Sequence, residues 1–148
     1  MTMTYFRATD PFPLESAEQN KLHEFYERLG QGRLVTTACA RCGRTAWPPR
    51  GFCPECASDE FTWAELPRDG TVHAFTIQDT GLPQGFEAPR VFAIVKVAEA
   101  RIFAPIVGPR ATTVTVGSPV RLSPVRVADE ATGSPRYLVA FEPPEAPA

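Results

Sequence analysis

Cys39-Ala-Arg-Cys42-Gly-Arg-Thr-Ala-Trp-Pro-Pro-Arg-Gly-Phe-Cys53-Pro-Glu-Cys56 holds all four cysteines of the chain. Two C-x2-C pairs separated by ten residues fit one chemistry. A tetrahedral metal wants four soft ligands, and each C-x2-C turn delivers two thiolates from one tight knuckle. Gly43 gives the first turn room, and Pro54 shapes the second. Redox C-x2-C pairs usually come singly before a helix, and a reduced compartment disfavours disulfides. Cys39, Cys42, Cys53 and Cys56 are therefore the expected metal ligands. Four thiolates leave no open coordination position, so the metal is expected to be structural rather than hydrolytic. Iron in a rubredoxin-like site uses the same geometry, with zinc the ordinary occupant. A divalent ion with four thiolates carries net charge −2, which Arg41, Arg44 and Arg50 beside the knuckles are placed to offset.

Outward from the ribbon, composition narrows the classes. The 148 residues are 43% hydrophobic and 22% charged, a foldable composition. The formal net charge of −2 disfavours bulk electrostatic binding of DNA or RNA. Among 15 basic residues only Lys21 and Lys96 are lysines; arginine suits bidentate phosphate pairing, although a GC-rich genome gives the same skew. No stretch reaches the ~18 apolar residues of a membrane span, and the first residues lack a secretory pattern. The expected location is cytoplasmic, with no membrane partner.

Upstream, Ser16 and Gln19 form a capping-box pattern, and Leu22, Phe25, Tyr26 and Leu29 make one apolar stripe. A helix is expected from about Ser16 to Leu29, ended by Gly30 and Gly32. Downstream, β-branched and aromatic runs predict strands at Thr71–Gln78, Arg90–Val97, Arg101–Val107, Pro119–Val127 and Tyr137–Phe141. Five short strands without intervening helices predict a small antiparallel barrel. In Pro119–Val127 the apolar parity slips at Pro124, which predicts a bulge or bend. The expected fold is mainly β: an N-terminal extension and amphipathic helix (1–33), a four-cysteine rubredoxin-like ribbon (34–66), a five-stranded OB barrel (67–142) and a flexible tail (143–148). In Arg90–Val97 and Arg101–Val107 both faces carry apolar side chains, with Phe92, Ile94 and Phe103 opposite the expected core face. The helix, the ribbon or another chain must cover that outer face.

No catalytic constellation is legible. His23 and His73 have no nucleophile at a recognisable motif spacing, and no dinucleotide, phosphate-loop, zinc-protease or serine-hydrolase motif occurs. The Gly81–Phe86 stretch reads as a Gly/Pro loop with an apolar tip at Leu82 and Phe86, either an ordinary connection or a contact to a partner or acyl group.

The order helix, ribbon and barrel resembles the zinc-ribbon OB-fold proteins catalogued as DUF35. The resemblance rests on Cys39 to Gly43, Trp47-Pro48-Pro49-Arg50, Cys53 to Cys56, Trp63 to Leu66, Gly70-Thr71-Val72 through Thr76, and Val116 to Val120. The lead-in before the helix and the Pro-rich stretch between Gln78 and Arg90 depart from the family pattern. The resemblance implies a structural zinc and an acyl-CoA-associated role. Such proteins are non-catalytic small subunits docked on thiolase-fold enzymes, including acyltransferases and sterol-carrier-like thiolases or aldolases, whose large subunit supplies the catalytic groups. It implies a hetero-oligomer, two plus two, and one subgroup acts on aromatic acyl-CoAs with a benzoylsuccinyl-CoA type thiolase. A CoA or acyl-CoA ligand shared with the partner would carry phosphates suited to arginine forks, and Arg44, Arg50 and Arg90 are the candidates. The alternative, a zinc-ribbon OB-fold nucleic-acid-binding protein, is disfavoured by the acidic balance.

Overall fold

The computed structural model describes residue 18 and residues 20–82, 87–129 and 135–146. The apolar stripe folds as helix α1 (His23–Gly30), with Phe25 and Leu29 buried. The helix begins later than its stripe predicts. Asn20 accepts from the Leu22 amide through its side chain and from the His23 amide through its carbonyl, so residues 20–22 form the entry turn. Ser16 and Gln19, the expected capping pair, lie outside the described residues. At the far end Gly32 adopts φ +77°, and the amides of Gly32 and Arg33 return to the carbonyls of Leu29 and Arg28.

The ribbon is a small antiparallel sheet of β1 (Val35–Cys39), β2 (Thr45–Ala46) and β3 (Phe61–Glu65), in the order β2-β1-β3. The barrel follows with β4 (Asp69–Gln78), β5 (Arg90–Val97), β6 (Ala100–Ile106) and β7 (Pro119–Leu122). It is closed, in the order β10-β6-β5-β4-β7, by β10 (Phe141–Glu142). The alternation holds. Val91, Ala93, Val95 and Val97 of β5 and Ile102, Ala104 and Ile106 of β6 are buried. They join Phe25 and Leu29 of the helix and Leu34 and Val35 at the ribbon's root in one core. No helix among the described residues is long and apolar enough to cross a membrane.

Two expected strands are corrected. Pro119–Val127 is not one bulged strand. Proline at 124 has no N–H for the ladder, and the chain leaves the barrel there. The continuation is β8 (Val125–Asp129), which pairs with β9 (Pro135–Leu138) as a separate hairpin. Tyr137–Phe141 divides likewise. Tyr137 belongs to β9, and its ring lies against α1, where a Cβ on Gly30 would stand 3.1 Å away. The fifth barrel strand is only the two residues of β10, with Phe141 opposite Ile106 on one side and Leu122 on the other. Beyond it Arg110 donates to the carbonyl of Pro144 at 2.7 Å.

Gly70 marks where the ribbon hands over to the barrel. A Cβ there would stand 2.7 Å from Val95 Cγ1 and 2.8 Å from the carbonyl oxygen of Lys96. One contact is backbone and the other belongs to a fully buried valine, so neither can yield without shifting β5. Gly70→Ala is expected to destabilise the chain by about 1–3 kcal/mol, as core overpacking does. A lowered urea midpoint at unchanged m value is the check.

Candidate metal centre and apolar groove

The two C-x2-C segments fold into two copies of one knuckle. In the first, the amide of Gly43 donates to the carbonyl of Cys39, and the amide of Cys39 to that of Arg44. In the second, Ala57 donates to Cys53, and Cys53 to Ser58. The residue that closes each turn is left-handed, Gly43 at φ +75° and Ala57 at φ +59°. The equivalence of Ala57 and Gly43 is invisible in sequence, since alanine rarely takes that conformation. The knuckles face each other, and all four Sγ atoms lie within 4.8 Å of one another. Cys39 to Cys56 and Cys42 to Cys53 are each 3.6 Å apart. A zinc–sulfur bond of about 2.3 Å implies a tetrahedral edge of about 3.8 Å, so the cluster has the size and donor set for such an ion.

The backbone prepares the thiols unequally. The Cys42 amide, 3.4 Å from Cys39 Sγ, is the main cause that draws Cys39 down to about 6. Cys53 is lowered in the same way by the Cys56 amide. At Cys42 the Arg44 amide pulls downward, but the sulfur of Cys53 and burial together push it up to about 11. Cys56 is raised similarly: the Ser58 amide is outweighed by burial and the sulfur of Cys39. Each close sulfur pair thus has one acidic and one reluctant member. The backbone favours the thiolate at Cys39 and Cys53, and a divalent cation displaces the protons that the other thiols hold.

The candidate arginines are only partly brought together. Arg44 and Arg50 line a hollow of about 280 Å³ beside Cys39, Cys53 and Phe52. Arg44 is engaged by Glu55 at 3.5 Å, and the backbone amide of Arg50 donates to Thr37. Arg90 is not among the residues lining that hollow. It opens β5 opposite Gln78, where burial lowers its pKa. His73 is exposed at the irregularity between Val72 and Ala74 of β4, and His23 Nε2 lies 3.4 Å from Glu27 on α1. Of the Gly81–Phe86 loop, residues 83–86 lie outside the described residues.

Sequence reasoning missed a second feature. Helix, ribbon and barrel meet around a groove of about 490 Å³. Its walls include Phe25 and Tyr26 of α1, Trp47 and Pro48 of the ribbon, and Phe103 and Pro105 of β6. Phe25 stacks edge-on to both Tyr26 and Trp47. The helix and ribbon therefore reach one end of the doubly apolar barrel face but do not cover it. Phe103 remains 70% exposed and stacks on Phe92, with Ile94 beside it 36% exposed. Trp47-Pro-Pro and the apolar outer side chains of β6 are both legible in the sequence, but only the tertiary arrangement joins them.

Known proteins share this arrangement. The description of the ChsH2 rubredoxin-like zinc ribbon domain matches residues 27–62, and that of the ChsH2 C-terminal OB-fold domain matches residues 63–124. The chain belongs to the ChsH2/DUF35 family. A chain of the solved Ltp2-ChsH2(DUF35) aldolase is similar to it at TM-score 0.69 and 28% identity, over 82% of this chain and 93% of that one. A DUF35-family protein from Sulfolobus solfataricus shares the fold at TM-score 0.57 and 17% identity, over 95% of this chain and 96% of that one. A probable enoyl-CoA hydratase alpha subunit from Thermomonospora curvata is 31% identical over 99 residues. This ChsH2/DUF35 chain spans 31% of the length of that curated relative, which matches 66% of this one.

Proposed function

We propose that this chain is a non-catalytic auxiliary subunit that docks on a thiolase-fold enzyme and assists its assembly or its handling of acyl-CoA. The observation that carries this reading is the likeness to the ChsH2(DUF35) chain of an aldolase complex, which extends over 93% of that chain. The exposed Phe103 and the groove beside it supply an apolar docking surface. Cys39, Cys42, Cys53 and Cys56 hold a structural zinc that shapes the ribbon wall of that groove through Trp47 and Pro48. The substrate class is bulky acyl-CoAs, aromatic or steroid-like, of the benzoylsuccinyl-CoA thiolase kind. The relative named as an enoyl-CoA hydratase subunit fits the same acyl-CoA chemistry. The complex is a hetero-oligomer of two large and two small subunits, in the cytoplasm. Arg44 and Arg50, which share one hollow, are this chain's candidates for a CoA phosphate.

The test is co-purification of the full chain with a thiolase-fold subunit, followed by the same experiment with Phe103→Glu. The exposed position makes little stability cost expected, whereas a charge in an apolar interface should weaken assembly by about tenfold or more. Failure of any thiolase-fold subunit to associate overturns the reading. Calorimetry with CoA on the free chain, the free partner and the complex decides the ligand role. Equal affinity for partner and complex removes Arg44 and Arg50 from it.

A further inference from the structure

Among the described residues, the first barrel strand leaves half of one edge without a partner. β4 pairs with β7 only through Asp69, Gly70 and Thr71, and Val72 adds a last pair of backbone bonds with Gly117 and Ser118. Past the irregularity at His73, Ala74 to Gln78 pair with β5 on one side, and among the described residues no strand lies on the other. The segment is His73-Ala-Phe-Thr-Ile-Gln78, with no lysine, acid or proline to discourage pairing. His73 through Ile77 are all exposed. An edge with no strand partner among the described residues calls for an extended chain, and the lack of charge permits a second copy of itself.

The side chains select a register. Phe75 and Ile77 lie opposite Ala93 and Val91 of β5, on the inner side of the sheet beyond the reach of β7, and are 37% and 40% exposed. Ala74 and Thr76 lie opposite Ile94 and Phe92, on the outer side. In an antiparallel pair, directly opposed residues share a face, so a two-fold axis must pass through a residue rather than between two. An axis at Thr76 sets Phe75 against Ile77 of the second copy, Ile77 against Phe75, and Thr76 against Thr76. Aromatic with β-branched and threonine with threonine are both favourable cross-strand pairs.

We infer that two copies of this chain pair edge to edge along β4, antiparallel and centred on Thr76. The sheet then runs continuously from one barrel into the next. The contact lies on the β4 side of β5, whereas Phe103 and the groove lie on the β6 side, so pairing leaves the proposed docking surface free. The interface is short, so the dimer forms as a concentration-dependent equilibrium.

Sedimentation velocity of the full chain over a wide concentration range tests this, with Thr76→Lys, Thr76→Glu and an equimolar mixture of the two. Position 76 is exposed, and circular dichroism verifies that both variants fold. Wild type is expected to shift from monomer to dimer as concentration rises. Each variant alone sets like charges opposite one another at the axis and is expected to remain monomeric over the same range. The mixture opposes lysine to glutamate and is expected to recover the dimer. A wild-type chain that is monomeric throughout overturns the inference. So do variants that dimerise like wild type, or a mixture that fails to recover. Co-purification with a thiolase-fold subunit is read separately, because Thr76→Lys leaves the groove intact.

Discussion

Cys42→Ser is expected to lose the metal and unfold the knuckle end of the ribbon. Little else holds that end together. Residues 40–45 are exposed, and Phe52, the large apolar side chain nearby, is 59% exposed. The common core begins only at the ribbon's root, with Leu34 and Val35. In such a segment the metal replaces a hydrophobic core, and structural zinc contributes an apparent ~10–16 kcal/mol in small zinc domains. A hydroxyl in place of one thiolate removes a ligand that binding must deprotonate from about 11. Elemental analysis should find the variant metal-depleted. Hydrogen exchange should show the Gly43 and Ala57 amides, which close the two knuckles, losing protection while the β5 amides keep theirs. Acid should mimic the mutation. Metal binding releases protons from Cys42 and Cys56, so affinity rises with pH across the neutral range. Below about 6 the Cys39 thiolate is protonated as well, and retention should fall steeply. A Cys42→Ser chain that keeps metal and knuckle protection would refute the structural-metal reading.

Most of the fold was legible because its signals are local. C-x2-C spacing is a property of a single turn, and the alternation along β5 is a property of a single strand. Both survive intact, down to the boundaries Arg90–Val97. What sequence did not disclose depends on where the chain goes next. Pro124 signals a break in pairing, but only the position of the barrel decides whether the strand bulges or departs, and here it departs into the β8–β9 hairpin. α1 starts later than its apolar stripe predicts because Asn20 competes for the Leu22 and His23 amides, a contest that the stripe does not register. The candidate arginines are spread for the same reason. Arg44 and Arg50 lie near one another in sequence and share a hollow, whereas Arg90 follows a loop at the start of β5 and does not line it. The groove was hidden because separate elements build it, and the apolar stripe of the helix and the outer face of β6 do not disclose from sequence that they meet at Trp47 and Leu138.

The barrel's closure rests on its shortest strand, so Phe141→Ala is expected to be among the most damaging single substitutions in the core. β10 has two residues, too few to stand by backbone pairing alone. Its amide network is thin: the Val107 amide donates to the Phe141 carbonyl and the Ser123 amide to the Ala140 carbonyl, at 2.8 Å each. Those bonds bridge β6 to β7, and the ring of Phe141, 0% exposed, fills the space beneath them. Truncation removes the ring's burial and leaves a cavity that two flanking strands cannot fill without opening the barrel. Phe→Ala losses in cores run to about 3–5 kcal/mol. For a chain of this size that corresponds to a melting point lower by about 10 °C. Phe141→Leu, which retains much of the volume, should cost clearly less. Metal content separates this effect from ribbon failure. The thiolate cluster lies outside the core that Phe141 fills, so the folded variant should retain a wild-type metal-to-protein ratio while its calorimetric transition falls. If metal were lost in parallel with stability, the ribbon would depend on barrel closure, and the root at Leu34 and Val35 would be the place through which that dependence acts.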